Sequence, residues 1–489
     1  MFSVRNMRHT IRREKWLLVL LLVYFGLTTG CGGSGAGGGG GETGNPVTAA
    51  ALGVCSTATP VPNTYIVEVQ TFSTTEGEIE LEVLEVADDC RVRMKGNIKR
   101  LLTSALHGFV VVLPEGELPD GFFENELVLR VQQDVVAEAD DFIPHGLFVN
   151  IPIQQIPNGV RRIFADDPDL AARIDGIDGA GQRVGIGIAI LDSGIDISHP
   201  DLNVSTLGVD FTASPAGASD VFGHGTHVAG IAAALDNAFG VVGVAPGATL
   251  YPVKVLDDAG KGALSHILAG VDWVVANADK IAIANLSLHV SCPSPLLRDA
   301  LRRAVAAGVV VVASAGNRGV DIFGPDTVYG TADDHAPACF PEVLTVSALA
   351  DFDGLAGGLA NGTTVPDDTL AGYSNFSRSL YPGAPWAPPG MAIDLAAPGY
   401  AVLSTFPGGV YETMSGTSMA APHVTGAAAR LIAIRGRDFN LDGVIDAADV
   451  SALRQTIVSG SQPQNLWRSG GSTLDPDGNP EPLVDARTR

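Results

Sequence analysis

The chain has 489 residues and a formal net charge of −24, enough for two or three domains with a large buried core. So acidic a surface is soluble and repels phosphate backbones, which argues against nucleic acid as a partner. The 59 glycines fall partly in one linker and partly in the close turns of an α/β sheet. Arg5, Arg8, Arg12, Arg13 and Lys15 precede the apolar run 16–27, the two parts of an export signal and too short to span a bilayer comfortably. Residues 1–30 therefore read as a signal peptide, and 31–62, rich in Gly, Ala, Thr and Pro, as a tether. From 63 to 150 strands are expected at 65–69, 108–113, 127–131 and 134–138, a small α+β pattern. From 151 to 436 apolar runs at 184–191, 250–256, 281–288, 309–314 and 343–347 alternate with helical patterns beginning at 224 and spanning 263–276, 295–307 and 420–434. That alternation predicts an α/β fold, a parallel sheet with helices on both faces. Residues 437–489 read as a separate, short helical calcium-loop segment with a helix at 450–457.

Three stretches carry chemistry. Gly-Thr-Ser-Met-Ala-Ala-Pro-His at 416–423 puts Ser418 ahead of an Ala-rich helix, with Pro422 expected in its first turn. A hydroxyl there has the positive end of the helix dipole and unpaired N–H groups beside it, as a nucleophile that creates an oxyanion requires. Ala-Ile-Leu-Asp-Ser-Gly-Ile-Asp at 189–196 places Asp192 at the carboxyl end of a buried strand, where sites collect in open α/β sheets. Gly-His-Gly-Thr-His-Val-Ala-Gly at 223–230 opens a helix with His224. Asp192, His224 and Ser418 supply an orienting carboxylate, a base and a nucleophile.

In that order, on those motifs, the chain resembles the subtilisin-like serine proteases, the subtilases. The resemblance implies that Asn317, ending Val-Val-Val-Ala-Ser-Ala-Gly-Asn, and the Ser418 amide form the oxyanion hole. It implies that Lys261, Gly262, Ser287, Leu288 and His289 border an extended protein or peptide substrate. His289 stands where the family usually has glycine, and Arg318 follows Asn317 at the rim of the same pocket. Both are either surface residues or a source of bulk and positive charge that disfavours large basic side chains before the cut bond. Calcium is the implied cofactor, held by the side chains of Gln154, Asp201 and Asn237 and the carbonyls of Leu235, Phe239 and Val241. His199, His227 and His423 read as packed, hydrogen-bonded histidines. The acidic loop with Asp321, Asp326, Asp333 and Asp334 reads as solvated, a second cation site being the alternative.

Residues 63–150 resemble a subtilase propeptide, an inhibitor whose tail lies in the cleft; a small unrelated β-domain is the alternative. Processing is expected near 150–154, where the sequence resembles a mature amino end. The signal resembles a bacterial lipoprotein signal with Cys31 as the acylated residue, so the membrane is a partner before processing. The family resemblance implies a Cys292–Cys339 bridge, with Cys55–Cys90 as its companion; four buried thiols are the alternative. In the tail, Asp438, Asn440, Asp442, Val444, Asp446 and Asp449 occupy the ligand positions of an EF-hand-type calcium loop. It resembles one dockerin repeat, leaving open a cohesin-type partner or a lone calcium-stabilised appendage. The implied function is a serine endopeptidase exported as a self-inhibited precursor. A maturation protease with few substrates, or a catalytically silent surface-binding homologue, are the rivals.

Overall fold

The computed structural model describes residues 58–488 apart from 115–124, 126, 141, 147, 171–173, 177–182, 291–292, 359, 361–364, 379–391, 468–473 and 478–480. The signal segment, most of the tether, Cys31, Cys55 and Cys292 lie outside the described residues. The described residues open with an antiparallel sheet of β1 (Pro60–Val69), β2 (Asn97–Leu102), β3 (Gly108–Val112) and β4 (Val128–Ala139), with α1 (Glu76–Met94) after β1. Strand alternation divides its two faces. Val67 and Val69 meet Ile79, Val83, Val86 and Cys90 of α1, while Ile66, Val110 and Val135 pack against the catalytic domain. The helix was not expected, although Ile79, Val83, Val86 and Cys90 carry its period. The two strands expected at 127–131 and 134–138 are one continuous β4, because β1 pairs with residues 128–135 and strands of the catalytic domain pair with 136–139.

After β5 (Ile143–Pro144) and α2 (Asn158–Arg162) the chain builds the larger body. Its elements are β6 (Gly187–Asp192), β7 (Val209–Asp210), α3 (His224–Ala233), β8 (Thr249–Lys254), β9 (Lys261–Ala263), α4 (Leu264–Ala276), β10 (Ile283–Leu286), β11 (Leu288–Val290) and α5 (Pro295–Ala306). Then follow β12 (Val310–Ser314), β13 (Leu344–Ala350), β14 (Thr369–Leu370), β15 (Leu395–Pro398), β16 (Val402–Phe406), β17 (Val410–Ser415) and α6 (Thr417–Arg435). The main sheet runs β14-β13-β12-β10-β6-β8-β7, with β15 also on β13, and is parallel except for the β13–β14 pair. Ile188 and Ile190 face α3 and α6, and Ala189 and Leu191 face α4 and α5. Burial on both faces explains why β6 reads as an unbroken apolar run. The chain leaves β6 for β8 on one side and β10 on the other, so Asp192 ends a strand at the topological switch point.

The tail does not stand apart. In α7 (Ala447–Gly460), Val450, Leu453 and Ile457 share a core with Leu431 and Ile432 of α6. Arg454 forms a buried ion pair with Asp394 at 2.6 Å. Farther on, Ala486 donates its N–H to the Ile163 carbonyl at 2.9 Å, and Trp467 is buried beside Leu349, Ala396 and Leu483. The apolar face that would make an EF-hand helix a docking surface is spent inside this chain.

Candidate active site

α6 starts earlier than its Ala-rich run, at Thr417, so Pro422 falls in the second turn rather than the first. A proline there removes the N–H that would bond the carbonyl four residues back, which belongs to Ser418. The Ser287 hydroxyl donates to that carbonyl at 3.0 Å instead. Ser287 accepts from the Asn285 amide at 3.0 Å, and Asn285 accepts from the Thr425 hydroxyl at 2.8 Å. The helix turn carrying the serine is thereby tied to the end of β10.

His224 begins α3 behind Gly223, whose φ of 104° and closeness to the Phe406 ring exclude a side chain. Asp220, which the motifs did not reveal, accepts from the N–H groups of Gly223 and Thr226 and from the hydroxyls of Ser193 and Thr226, all within 2.7–2.9 Å. Ser193 follows Asp192, so one buried carboxylate fastens the histidine's helix to the aspartate's strand. His224 Nδ1 lies 2.8 and 2.9 Å from the two Asp192 oxygens. Burial disfavours the imidazolium, but the charge and hydrogen bond of Asp192, helped by Asp140 and Asp220, outweigh it and hold the His224 pKa above its ordinary value. His224 Nε2 and Ser418 Oγ are both buried, and neither has a hydrogen-bond partner among the described residues. Catalytic hydrogen bonds of this kind are often long or poorly aligned and tighten as the transition state forms. Phe142 joins the two sides: its ring centroid is 5.0 Å from that of His224, and its Cβ stands 3.5 Å from where a Gly416 Cβ would be.

Asn317 follows β12, and its Oδ1 accepts from the Thr417 N–H at 2.7 Å and hydroxyl at 2.9 Å. Those bonds fix which end of the amide is the donor and put Nδ2 3.1 Å from a Cβ at Gly416. The Asn375 side chain braces the loop, accepting from the Arg318 and Val320 N–H groups and donating to the Ala315 carbonyl.

The cleft is filled by the chain itself. Val136, Ala137 and Glu138 pair with Ala263, Gly262 and Lys261 on one edge; Ala137, Glu138 and Ala139 pair with Val290, His289 and Leu288 on the other. Beyond the triad, Ile143 and Pro144 pair with Ser415 and Met414, and Val149 bridges Tyr411. The segment crossing the triad thus lies between Ala139 and Ile143. The stretch 150–154, where processing was expected, is held elsewhere: Gln154 and Gln155 donate backbone N–H groups to Ala238 and Gly240.

The subtilase family profile matches residues 183–471. The chain belongs to the subtilase family. It is 37% identical over 305 residues to Subtilisin E of Bacillus subtilis (strain 168), spanning 62% of this chain and 67% of that protein. It is 37% identical over 314 residues to an alkaline protease of Alkalihalobacillus alcalophilus, spanning 63% and 69%. Against Subtilisin BL of Lederbergia lenta it is 38% identical over 276 residues, spanning 56% and 84%. The subtilase is a serine endopeptidase of the subtilisin type.

The loop expected to hold calcium in this subtilase gathers the named residues. Asp201, fully buried, accepts from the Asn237 amide at 2.6 Å, the Val241 N–H at 2.9 Å and the Tyr411 hydroxyl at 3.2 Å. Gln154 accepts from the Asn237 N–H and donates to Asp236, and Asn237 Oδ1 accepts from the Phe239 N–H. Burial pushes the Asp201 carboxyl up to about 7, and among the described residues no cationic side chain pairs with it. The groups that face this carboxylate are N–H and O–H donors, so a hard cation would have to displace the Asn237 amide from it and take the carboxylate together with side-chain and carbonyl oxygens. In the tail loop, Asp438 accepts from the Asp442 and Gly443 N–H groups and Asp449 from Phe439, Asn440 and Asp446. Asp446 caps α7, and Val444 donates to Asp442. Among the described residues, three carboxylates approach within 4.8 Å of one another only at Asp351, Asp353 and Asp367, so the tail ligands are not gathered that closely.

The other histidines are packed as read. His227 and His423 bond the carbonyls of Glu412 and Met419, and burial lowers them to about 3 and about 4. His199 bonds Val410. Of the cysteines, Cys90 and Cys339 are described, and both are buried. In the acidic loop Asp321 and Asp334 are buried rather than solvated. Among the described residues no helix is long and apolar enough to cross a membrane.

Proposed function

We propose that the chain is the self-inhibited precursor of an exported, calcium-dependent serine endopeptidase. The observation that carries this reading is the strand at 136–139, which occupies the cleft between both edges as a substrate backbone would. In catalysis His224 takes the Ser418 proton while Asp192 holds Nδ1–H and stabilises the imidazolium. The oxygen that gains charge is met by the Asn317 amide and the Ser418 N–H. The acyl group passes to Ser418 Oγ, His224 returns the proton to the leaving nitrogen, and water clears the ester.

Calcium, when bound, offsets the buried Asp201 charge and ties the segment at Gln154 to the loop at Leu235, Asn237, Phe239 and Val241. The tail loop, Asp438 to Asp449, is a second calcium position in this reading, serving as a stabilised appendage rather than a cohesin partner. The Cys292–Cys339 and Cys55–Cys90 bridges belong to the exported state. A lipid on Cys31 anchors the precursor, and cleavage beyond the propeptide frees the enzyme from it. The polar lining around Asp140 favours a protease with few protein substrates over a general scavenger.

Intact mass of the full chain beside its Ser418→Ala variant, each treated with a serine-directed covalent probe, tests this. The wild type should split into two fragments, the larger carrying the probe and the smaller the lipid. The variant should stay whole and unlabelled. An uncut, unlabelled wild type overturns the reading.

A further inference from the structure

At the end of β4, the Asp140 side chain enters a pocket lined by His289, Gly316, Asn317, Arg318, His335 and Asn375. The residue is 2% exposed. The Ser314 hydroxyl donates to its Oδ2, and His289 Nδ1 lies 3.1 Å from Oδ1. Arg318 donates to the other imidazole nitrogen at 3.3 Å, so Nδ1 carries the hydrogen directed at the carboxylate. The guanidinium's charge thus reaches Asp140 through the histidine ring. These groups converge on an acid, and a large apolar or basic side chain would leave the Ser314 hydroxyl and the His289 N–H without a partner in a dry pocket.

The same register names the bond. Ala139 is the last residue paired with the cleft edge, Phe142 stands against His224, and Ile143 pairs with the strand leading to Ser418. Asp140 is therefore the residue whose side chain fills the pocket beside the oxyanion asparagine. We propose that this pocket selects an acidic side chain, aspartate foremost, before the cut bond, and that the precursor is processed between Asp140 and Asp141. The inference rests on the peptidase reading above. Ser418 Oγ attacks the Asp140 carbonyl carbon, the bond to the Asp141 nitrogen breaks, and His224 moves the Oγ proton to that nitrogen. Water then releases Asp140 as a free carboxylate and restores the serine.

Fragment masses of the processed full chain, and a peptide series differing only in the residue before the cut bond, test it. The expected amino-terminal fragment ends at Asp140. Peptides with Asp there should be cut on the order of 100-fold faster than those with Asn, Phe or Lys, since a site built around hydrogen bonds rejects analogues that lack them. The variant His289→Gly with Arg318→Ala should lose most of that preference and gain cleavage after Phe. In that variant, Asp140→Phe precursors should process faster than in the parent. Probe-labelled enzyme that processes elsewhere, or that prefers apolar or basic residues, overturns the pocket assignment alone. Enzyme the probe does not label at Ser418 overturns the peptidase reading and this inference with it.

Discussion

Asn317 shows how a single side chain is made into a donor. Thr417 occupies its amide oxygen twice, so the NH2 end is fixed toward the serine's helix before any substrate arrives. Loss of such a donor in a subtilisin costs about 100- to 1,000-fold in turnover. Asn317→Ala is expected to show the same loss in kcat with little change in KM, measured on a peptide amide. His224 gives a second outcome. Its pKa stands above the ordinary 6.5, and only the neutral ring accepts the serine proton, so activity falls as the pH drops through that raised value. The acid limb of kcat/KM should lie above pH 6.5, and Asp192→Asn should move it lower. Asp140 contributes less to the raised value than Asp192 and more than Asp220, so an enzyme without Asp140 should keep the direction of the shift but not all of it. At this scale the triad was legible because each member sits in a contiguous motif. Asp220, Thr417, Asn375 and Asp140 were not, because their roles depend on partners from distant segments.

Among the elements, α6 was legible in length but not in its start. Its Ala-rich core declares helix, while the turn containing Ser418 is helical only because Ser287 satisfies the carbonyl that Pro422 leaves open. Ser287→Ala strips that partner in a dry site, and a buried acceptor left unmet costs about 1–3 kcal/mol. Urea midpoints in a Ser418→Ala background, which prevents self-digestion, should fall accordingly with an unchanged slope. The parallel strands were visible as apolar runs, since burial on both faces leaves no polar alternation to confuse them. α1 was missed because its period is diluted by Glu76, Glu78, Glu80, Glu82 and Glu85 on the outer face. For the calcium loop, a cation held near 100 times its Kd adds about 2.7 kcal/mol, or roughly 4–5 °C for a domain of this size. A chelator should lower the melting temperature by that amount, and Asp201→Ala should remove the response.

As a whole molecule, the segment ahead of the catalytic domain is held to it by contacts well away from the triad. Asp134 of β4 accepts from the N–H of Ser265 at 3.0 Å and its hydroxyl at 2.5 Å, standing in as the N-cap that α4 lacks in its own sequence. Gln132 accepts from Ser294, the cap of α5. From the other side, Asp272 of α4 accepts from four consecutive N–H groups, Thr103 to Leu106, at 2.6–3.4 Å. All four lie in the proposed propeptide, so Asp272→Ala removes docking contacts without removing a bond internal to the catalytic domain. Hydrogen bonds to a charged acceptor contribute about 1.5–3 kcal/mol each at most, and a shared carboxylate returns less than their sum. A loss of about 2–3 kcal/mol, or 30- to 150-fold in the hold on the cleaved propeptide, is expected. Burial also pushes both carboxyls up, Asp134 to about 6. The docked state therefore keeps protons that the released state gives up, so docking is tightest below the ordinary carboxylate value and weakens as the pH rises through about 6. Gel filtration of the cleaved, probe-blocked protein reads both effects. More propeptide should separate at pH 7 than at pH 4, and Asp272→Ala should separate at both with a smaller difference between them. Co-elution of the variant to the same extent as wild type would show that the strand in the cleft alone carries the inhibition.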